Sequence, residues 1–225
     1  MKMYTYLSHV LSPSSPTYPG NLGLKITTQF SFQRGDPFSQ CEFTMCNHIG
    51  THIDLPRHFN PRGATVEQIK PENWVFRSPC LVDIPKADHQ VVEAADLEPL
   101  ASRLVECDLL LIRTGFESHR HDLPRYSKAN PSLGPSLAEF ILRCLPKLRA
   151  VGVDVISAGN TNRVDDAIAV HRALLGFPEE DARYVLIIED MALKNCPATL
   201  EQVIVLPLLI EGFDGVPCTI LAEAN

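Results

Sequence analysis

Apolar residues recur along the chain in two rhythms. Between Ser136 and Arg149, the residues Leu137, Phe140, Ile141, Cys144, Leu145 and Leu148 return at the spacing that lines one face of a helix. Ser136 with Glu139 three residues later reads as a capping box, and Pro135 stops a helix from starting earlier. A second helix is expected from Asp165 to Leu175, opened by acidic residues and closed by Gly176 and Pro178. The other rhythm consists of short, unalternating runs: LVDI near 81, LLLI near 109, VGVDVI near 151, YVLII near 184 and the run near 203. Such runs predict strands buried on both faces. The segment from Leu24 to Phe32 is more mixed and predicts a strand with one exposed face. Strands interspersed with helices indicate an α/β architecture. Pro-rich stretches punctuate the sequence without marking a linker, and there is no repeat, so one domain over residues 1–225 is expected.

Composition narrows the function classes. Hydrophobic residues at 45% and charged residues at 21% describe an ordinary folded globular chain. The longest apolar stretch, Val203 to Ile210, is broken by Pro207 and falls far short of the ~20 residues a spanning helix needs. The opening MKMYTYLSHVLSPSSP lacks the uninterrupted apolar segment of a signal peptide, so a cytoplasmic protein without a membrane partner is expected. A formal net charge of -7 argues against nucleic acid, whose phosphates demand a basic surface. Seven cysteines without a CxxC pair give neither a disulfide framework nor a zinc knuckle; reduced structural thiols are the expectation.

Chemistry concentrates in HIGTHIDLPRH, residues 48–58. His48, Gly50, His52, Asp54, Pro56 and His58 share one parity, so an extended chain would turn them all to one face. A helix would align His48 with His52 but swing Asp54 roughly 120° away. In the extended reading, Gly50 would leave open space between the two histidines. Two imidazoles and a carboxylate suit divalent zinc, manganese or iron, with coordination positions left open for catalysis. The helical HExxH metalloprotease motif does not apply, because Ile49 stands where its glutamate should be.

HIGTHIDLPRH matches every specified position of HxGTHxDxPxH. On that motif the chain resembles the cyclase family of metal-dependent hydrolases, which includes bacterial kynurenine formamidase and isatin hydrolase. LSHVLSPSSPTYPG near the start, LLIRTGF, VGVDVIS, HRALLG and DGVP follow in the family's usual order. The resemblance implies a swivelling β/β/α-like fold with a mixed sheet and flanking helices. It implies that His48, His52 and Asp54 bind one zinc or manganese ion, with Asp54 bridging to a second held by His171 and Glu189.

Read alone, His171 is a histidine on the apolar side of its helix, and Glu189 is the end of a strand; Asp190 replaces it if the register slips by one. The resemblance makes His58 the acid/base, a further ligand or an orienter of one being the alternatives. It places Tyr18 near the substrate. Trp74 is another candidate for the pocket, with core packing as its alternative. His119 and His121 read as a solvated loop pair, and His9 and His89 form no constellation.

The implied reaction is hydrolysis of a C–N amide bond in a small aromatic formamide or cyclic amide, with metal-bound hydroxide as nucleophile. N-formylkynurenine is the family's best-known substrate. Hydrolysis or closure of a lactone on the same site is the alternative, and a metal-binding module without catalysis a more distant one. A homo-oligomer, dimer or tetramer, is implied as well. The chain departs from the family at Tyr6, where an acidic residue often precedes LSH. It departs again at Ala158-Gly159-Asn160, where an aspartate is common, and at Cys218-Thr219, where an arginine usually follows DG-x-P.

Overall fold

The computed structural model describes residues 2–178 and 182–224. Four of the expected runs become parallel strands lying side by side in chain order: Pro79–Asp83, Leu109–Arg113, Ala150–Val153 and Leu186–Glu189. Parallel pairing needs crossovers, and the helices Pro135–Cys144 and Val164–Leu174 lie in two of them. Alternation along the strands divides the core. Leu110, Ile112, Val151, Val153 and Ile187 pack with Leu137, Phe140, Ile141, Val170 and Leu174 of the helices. Leu109, Leu111, Ala150, Leu186 and Ile188 pack on the other face. Burial on both faces is why these runs carry no polar alternation.

The rest of the sheet is antiparallel. His52–Asp54 lies between Leu186–Glu189 and the first residues of Gly215–Ala224. That long last strand also carries Gln202–Pro207 and Met3–Tyr6, and Val75–Phe76 closes the series. Val203, Val205 and Ile220 from this end share one apolar cluster with Leu109 and Leu111 from the other end. The nine-stranded sheet therefore curls over on itself, and the fold is α/β with a nearly closed mixed sheet and flanking helices. No helix among the described residues is long and apolar enough to cross a membrane.

Three local expectations need correction. The first long helix starts at Pro135, with Gly134 as its N-cap, and ends at Cys144 rather than Arg149. Proline fits the first helical position, where its missing N–H costs nothing. The Ser136 hydroxyl accepts from the Ala94 amide at 3.0 Å and pairs with Glu93, so it forms no capping box. Pro146 forbids the helical conformation at Leu145, and the expected stripe is cut there. The second helix, Val164–Leu174, shifts by one residue, keeps Asp165 and Asp166 in its first turn, and is followed by Gly176 at φ +78°. Finally, the mixed segment near Leu24 is no half-buried strand. Lys25–Phe30 pairs only with Gln40–Thr44, and every residue of this ribbon is exposed.

Candidate metal centre

Register builds the centre. His52 lies opposite Glu189, and Asp54 opposite Ile187 and Gly215. Directly opposed residues of an antiparallel pair project to the same side, as do residues two apart on one strand, so His52, Asp54 and Glu189 meet. The strand is short, however: only His52–Asp54 is regular. Gly50 sits at φ +61°, and a side chain there would strike Leu11 at 2.8 Å, so this glycine makes a left-handed turn instead of leaving room for a ligand. Pro56–His58 is a 3-10 turn. The expected extended run from His48 to His58 is thus broken at both ends. Its histidines reach one cavity through turns, with His48 tucked over Gly215, where an added Cβ would lie 2.2 Å from the imidazole.

Hydrogen bonds aim the imidazoles. His52 Nδ1 donates to the Gly50 carbonyl at 2.8 Å, and His171 Nδ1 to the Ala167 carbonyl at 2.7 Å. Both Nε2 atoms are thereby turned to the carboxylates. His52 Nε2 lies 3.3 Å from Glu189 and 3.5 Å from Asp54, and His171 Nε2 3.4 Å from Glu189 and 3.7 Å from Asp54. Buried His52 Nε2 nevertheless has no hydrogen-bond partner. Glu189 is steadied from the far side, where its Oε1 accepts from the Ala158 amide at 2.7 Å and the Ser157 hydroxyl at 3.1 Å. Gly159 lets the second helix come close, since a side chain there would meet Ala167 at 2.5 Å.

A second set forms around Asp214, to which the sequence reading assigned no role. Its Oδ2 accepts from His58 Nδ1 at 2.9 Å and faces His48 Nε2 at 3.3 Å, while His48 Nδ1 donates to Asp54 at 2.9 Å. The rings of His48 and His58 stack with centroids 4.1 Å apart. Donor atoms cluster in two groups that share Asp54: His48, Asp54 and His58, and His52, Asp54 and Glu189. The ligands expected for two ions are brought together, but His52 falls with Glu189, and His58 takes a place beside His48. Asp190 does not replace Glu189; its carboxylate binds Arg120 and Tyr126.

The electrostatics demand positive charge. Burial disfavours the imidazolium of His48, yet its bonds to Asp214 and Asp54 outweigh that and lift it to about 10. Burial opposes protonation of His171 and His52 too, and Glu189 reverses this for both. Burial works against the Glu189 and Asp214 carboxylates, but their histidine partners hold both below the usual range. For Asp54, burial and the charge of Glu189 are overcome by His58 and His48. Carboxylates this close, facing nitrogen lone pairs, need protons or a cation between them. A divalent ion fits this donor set, and the partnerless His52 Nε2 is the atom it would satisfy.

The cluster forms the floor of a cavity of about 330 Å³. Tyr18, Phe59, Ile156, Val164 and Ile168 supply walls, and Phe59 stacks on His171 at 4.7 Å. Tyr18, expected near the substrate, lines this cavity. Trp74 belongs to the core, away from this cavity. His119 packs against Phe116 and Arg125, and His9 lines a separate cavity, so neither joins the centre. Phe59, Ser157 and Asp214 were missed as site residues; DGVP marked Asp214, but only its contacts give it a role.

Residues 5–160 match the family model for cyclases, described as "Putative cyclase". An uncharacterized protein of Haemophilus influenzae is 30% identical over 118 residues, 52% of this chain and 83% of that protein. Kynurenine formamidase of Erythrobacter litoralis is 27% identical over 225 residues, 96% of this chain and 92% of that enzyme. Isatin hydrolase A from Ralstonia solanacearum superposes with a TM-score of 0.84 at 22% identity, covering 100% of this chain and 92% of the other. With more than half of its length matched by the family model, this chain belongs to the cyclase family.

Proposed function

We propose that this protein is a metal-dependent hydrolase that cleaves the C–N amide bond of a small aromatic formamide or cyclic amide. The observation that carries this reading is the buried, partnerless His52 Nε2 among carboxylates at the floor of an apolar-walled cavity. His48, His52, Asp54, His171 and Glu189 would hold two zinc or manganese ions, with Asp54 between them. When bound, such ions lower the pKa of a coordinated water and polarise a carbonyl. The protein's own part is to place the substrate and handle its proton. Phe59, Tyr18, Ile156 and Ile168 receive a flat ring. Asp214 holds His58 by Nδ1, so Nε2 is the atom left to take a proton from water and return it to the leaving amine nitrogen.

The named relatives support an amide substrate: one is a kynurenine formamidase, another an isatin hydrolase. A screen of N-formyl aromatic amines, N-formylkynurenine among them, against cyclic amides and lactones tests the reading. Turnover of amides with weak or no action on lactones is expected. Turnover of lactones alone would move the reaction to cyclic esters.

We further infer a homo-oligomer, dimer or tetramer. Among the described residues, every residue of the ribbon Lys25–Phe30 with Gln40–Thr44 is exposed, and Ile26 and Phe43 stand out from it. An isolated two-stranded hairpin is marginal in water, so a second copy is its natural cover. One domain over 1–225 is supported by the single sheet that runs between both cores. A cytoplasmic location accords with seven free cysteines.

A further inference from the structure

Beyond Glu189 the pairing of its strand with His52–Asp54 ends, and the chain turns sharply. Asp190 sits at φ +50°, a conformation L side chains adopt rarely, and is 1% exposed. Its carboxylate accepts two parallel bonds from Arg120, Nε at 2.9 Å and Nη2 at 2.8 Å, and a third from the Tyr126 hydroxyl at 2.7 Å. Its amide donates to the Val155 carbonyl at 2.8 Å, and its carbonyl accepts from the Thr51 hydroxyl at 2.5 Å. Thr51 directly precedes His52, and Val155 opens the segment whose Ser157 and Ala158 hold the Glu189 carboxylate.

We propose that Arg120, Asp190 and Tyr126 form a positioning lock that fixes the direction of the Glu189 carboxylate and its spacing from His52. The inference rests on the reading of Glu189 as a metal ligand. The two adjacent carboxylates point to opposite sides, Glu189 to the imidazoles and Asp190 to Arg120. Thr51 carries the tie across to the strand of His52 where the ladder has stopped. A buried ion pair is a poor source of stability compared with well-packed apolar side chains, whereas a two-pronged guanidinium grips a carboxylate in one orientation. Lysine would keep the charge and lose the fork.

The test uses the full chain with Arg120→Lys and, as the milder change, Tyr126→Phe. Three quantities are read: dissociation constants for Zn²⁺ and Co²⁺ by competition with a chelator, the visible spectrum of the Co²⁺ form, and the melting temperature of the metal-free protein. Arg120→Lys should weaken metal binding about tenfold and change the cobalt spectrum, with the metal-free melting temperature little altered. Tyr126→Phe should do the same to a smaller extent. Wild-type affinity and spectrum in Arg120→Lys would overturn the lock, because charge alone would then suffice. A drop in melting temperature without weaker metal binding would overturn it too, leaving Arg120 a merely structural partner. Should wild type itself bind neither ion, the functional reading fails first and the lock falls with it.

Discussion

Two regions of this molecule break the usual sorting of apolar inside and polar outside, in opposite directions. At the centre, His52, Asp54, His171 and Glu189 are each 5% exposed or less. On the ribbon, Ile26 is 49% and Phe43 61% exposed. Each violation would be costly in an isolated chain: buried charges lose hydration, and a bare ribbon leaves apolar surface in water. On the function proposed above, a cation would complete the centre and a second protein surface would cover the ribbon. The two also differ in stiffness of support. The centre is held by sheet register and by bonds from Gly50, Ala167, Ser157 and Ala158. The ribbon is held by its own ladder, which slips between Thr28 and Phe30.

The comparison can be broken at several points. The largest change is expected from His58→Ala, which should lower kcat by roughly 10²–10⁴ while bound metal is retained. Loss of metal in that variant would instead make His58 a ligand beside His48. Next in size, Ile26→Lys combined with Phe43→Lys should remove apolar cover worth about 1.5–3 kcal/mol per side chain at an interface. Light scattering should then fall from a multiple of the chain mass to the 25.0 kDa of one chain. An unchanged mass would mean the ribbon lies outside the contact, and a wild type that is already one chain would remove the oligomer. The smallest effect belongs to Asp214→Asn, which leaves an acceptor for His58 but removes its charge. About a tenfold loss of kcat with little change in KM is expected from steady-state kinetics. No loss would leave His58 to act without its carboxylate.

What could be read beforehand was whatever depends on nearest neighbours along a known period. His52 and Asp54 share a face because they are two apart on a strand, and Glu189 could be placed at a strand end because the run YVLII precedes it. The buried strands were visible in the same way. Expectations failed where geometry turns on one backbone angle or on a distant contact. Nothing local shows that Gly50 bends left-handed, so the motif looked like one long strand. Ser136 and Glu139 have the spacing of a capping box, but Glu93, 43 residues away, takes the hydroxyl. Asp214 reaches His58 across 156 residues of sequence, and only the antiparallel pairing of the last strand brings it there.

The most direct test of the central claim is metal content per chain, in wild type and in Asp54→Asn, after purification without chelator and after reconstitution. The account predicts about two divalent ions per wild-type chain, held by His48, His52, Asp54, His171 and Glu189 in two groups that share Asp54. Most of that metal should be lost in Asp54→Asn, because Asp54 is common to both groups. A wild-type protein that binds none would contradict the account and leave the buried histidines and carboxylates to be neutralised by protons alone.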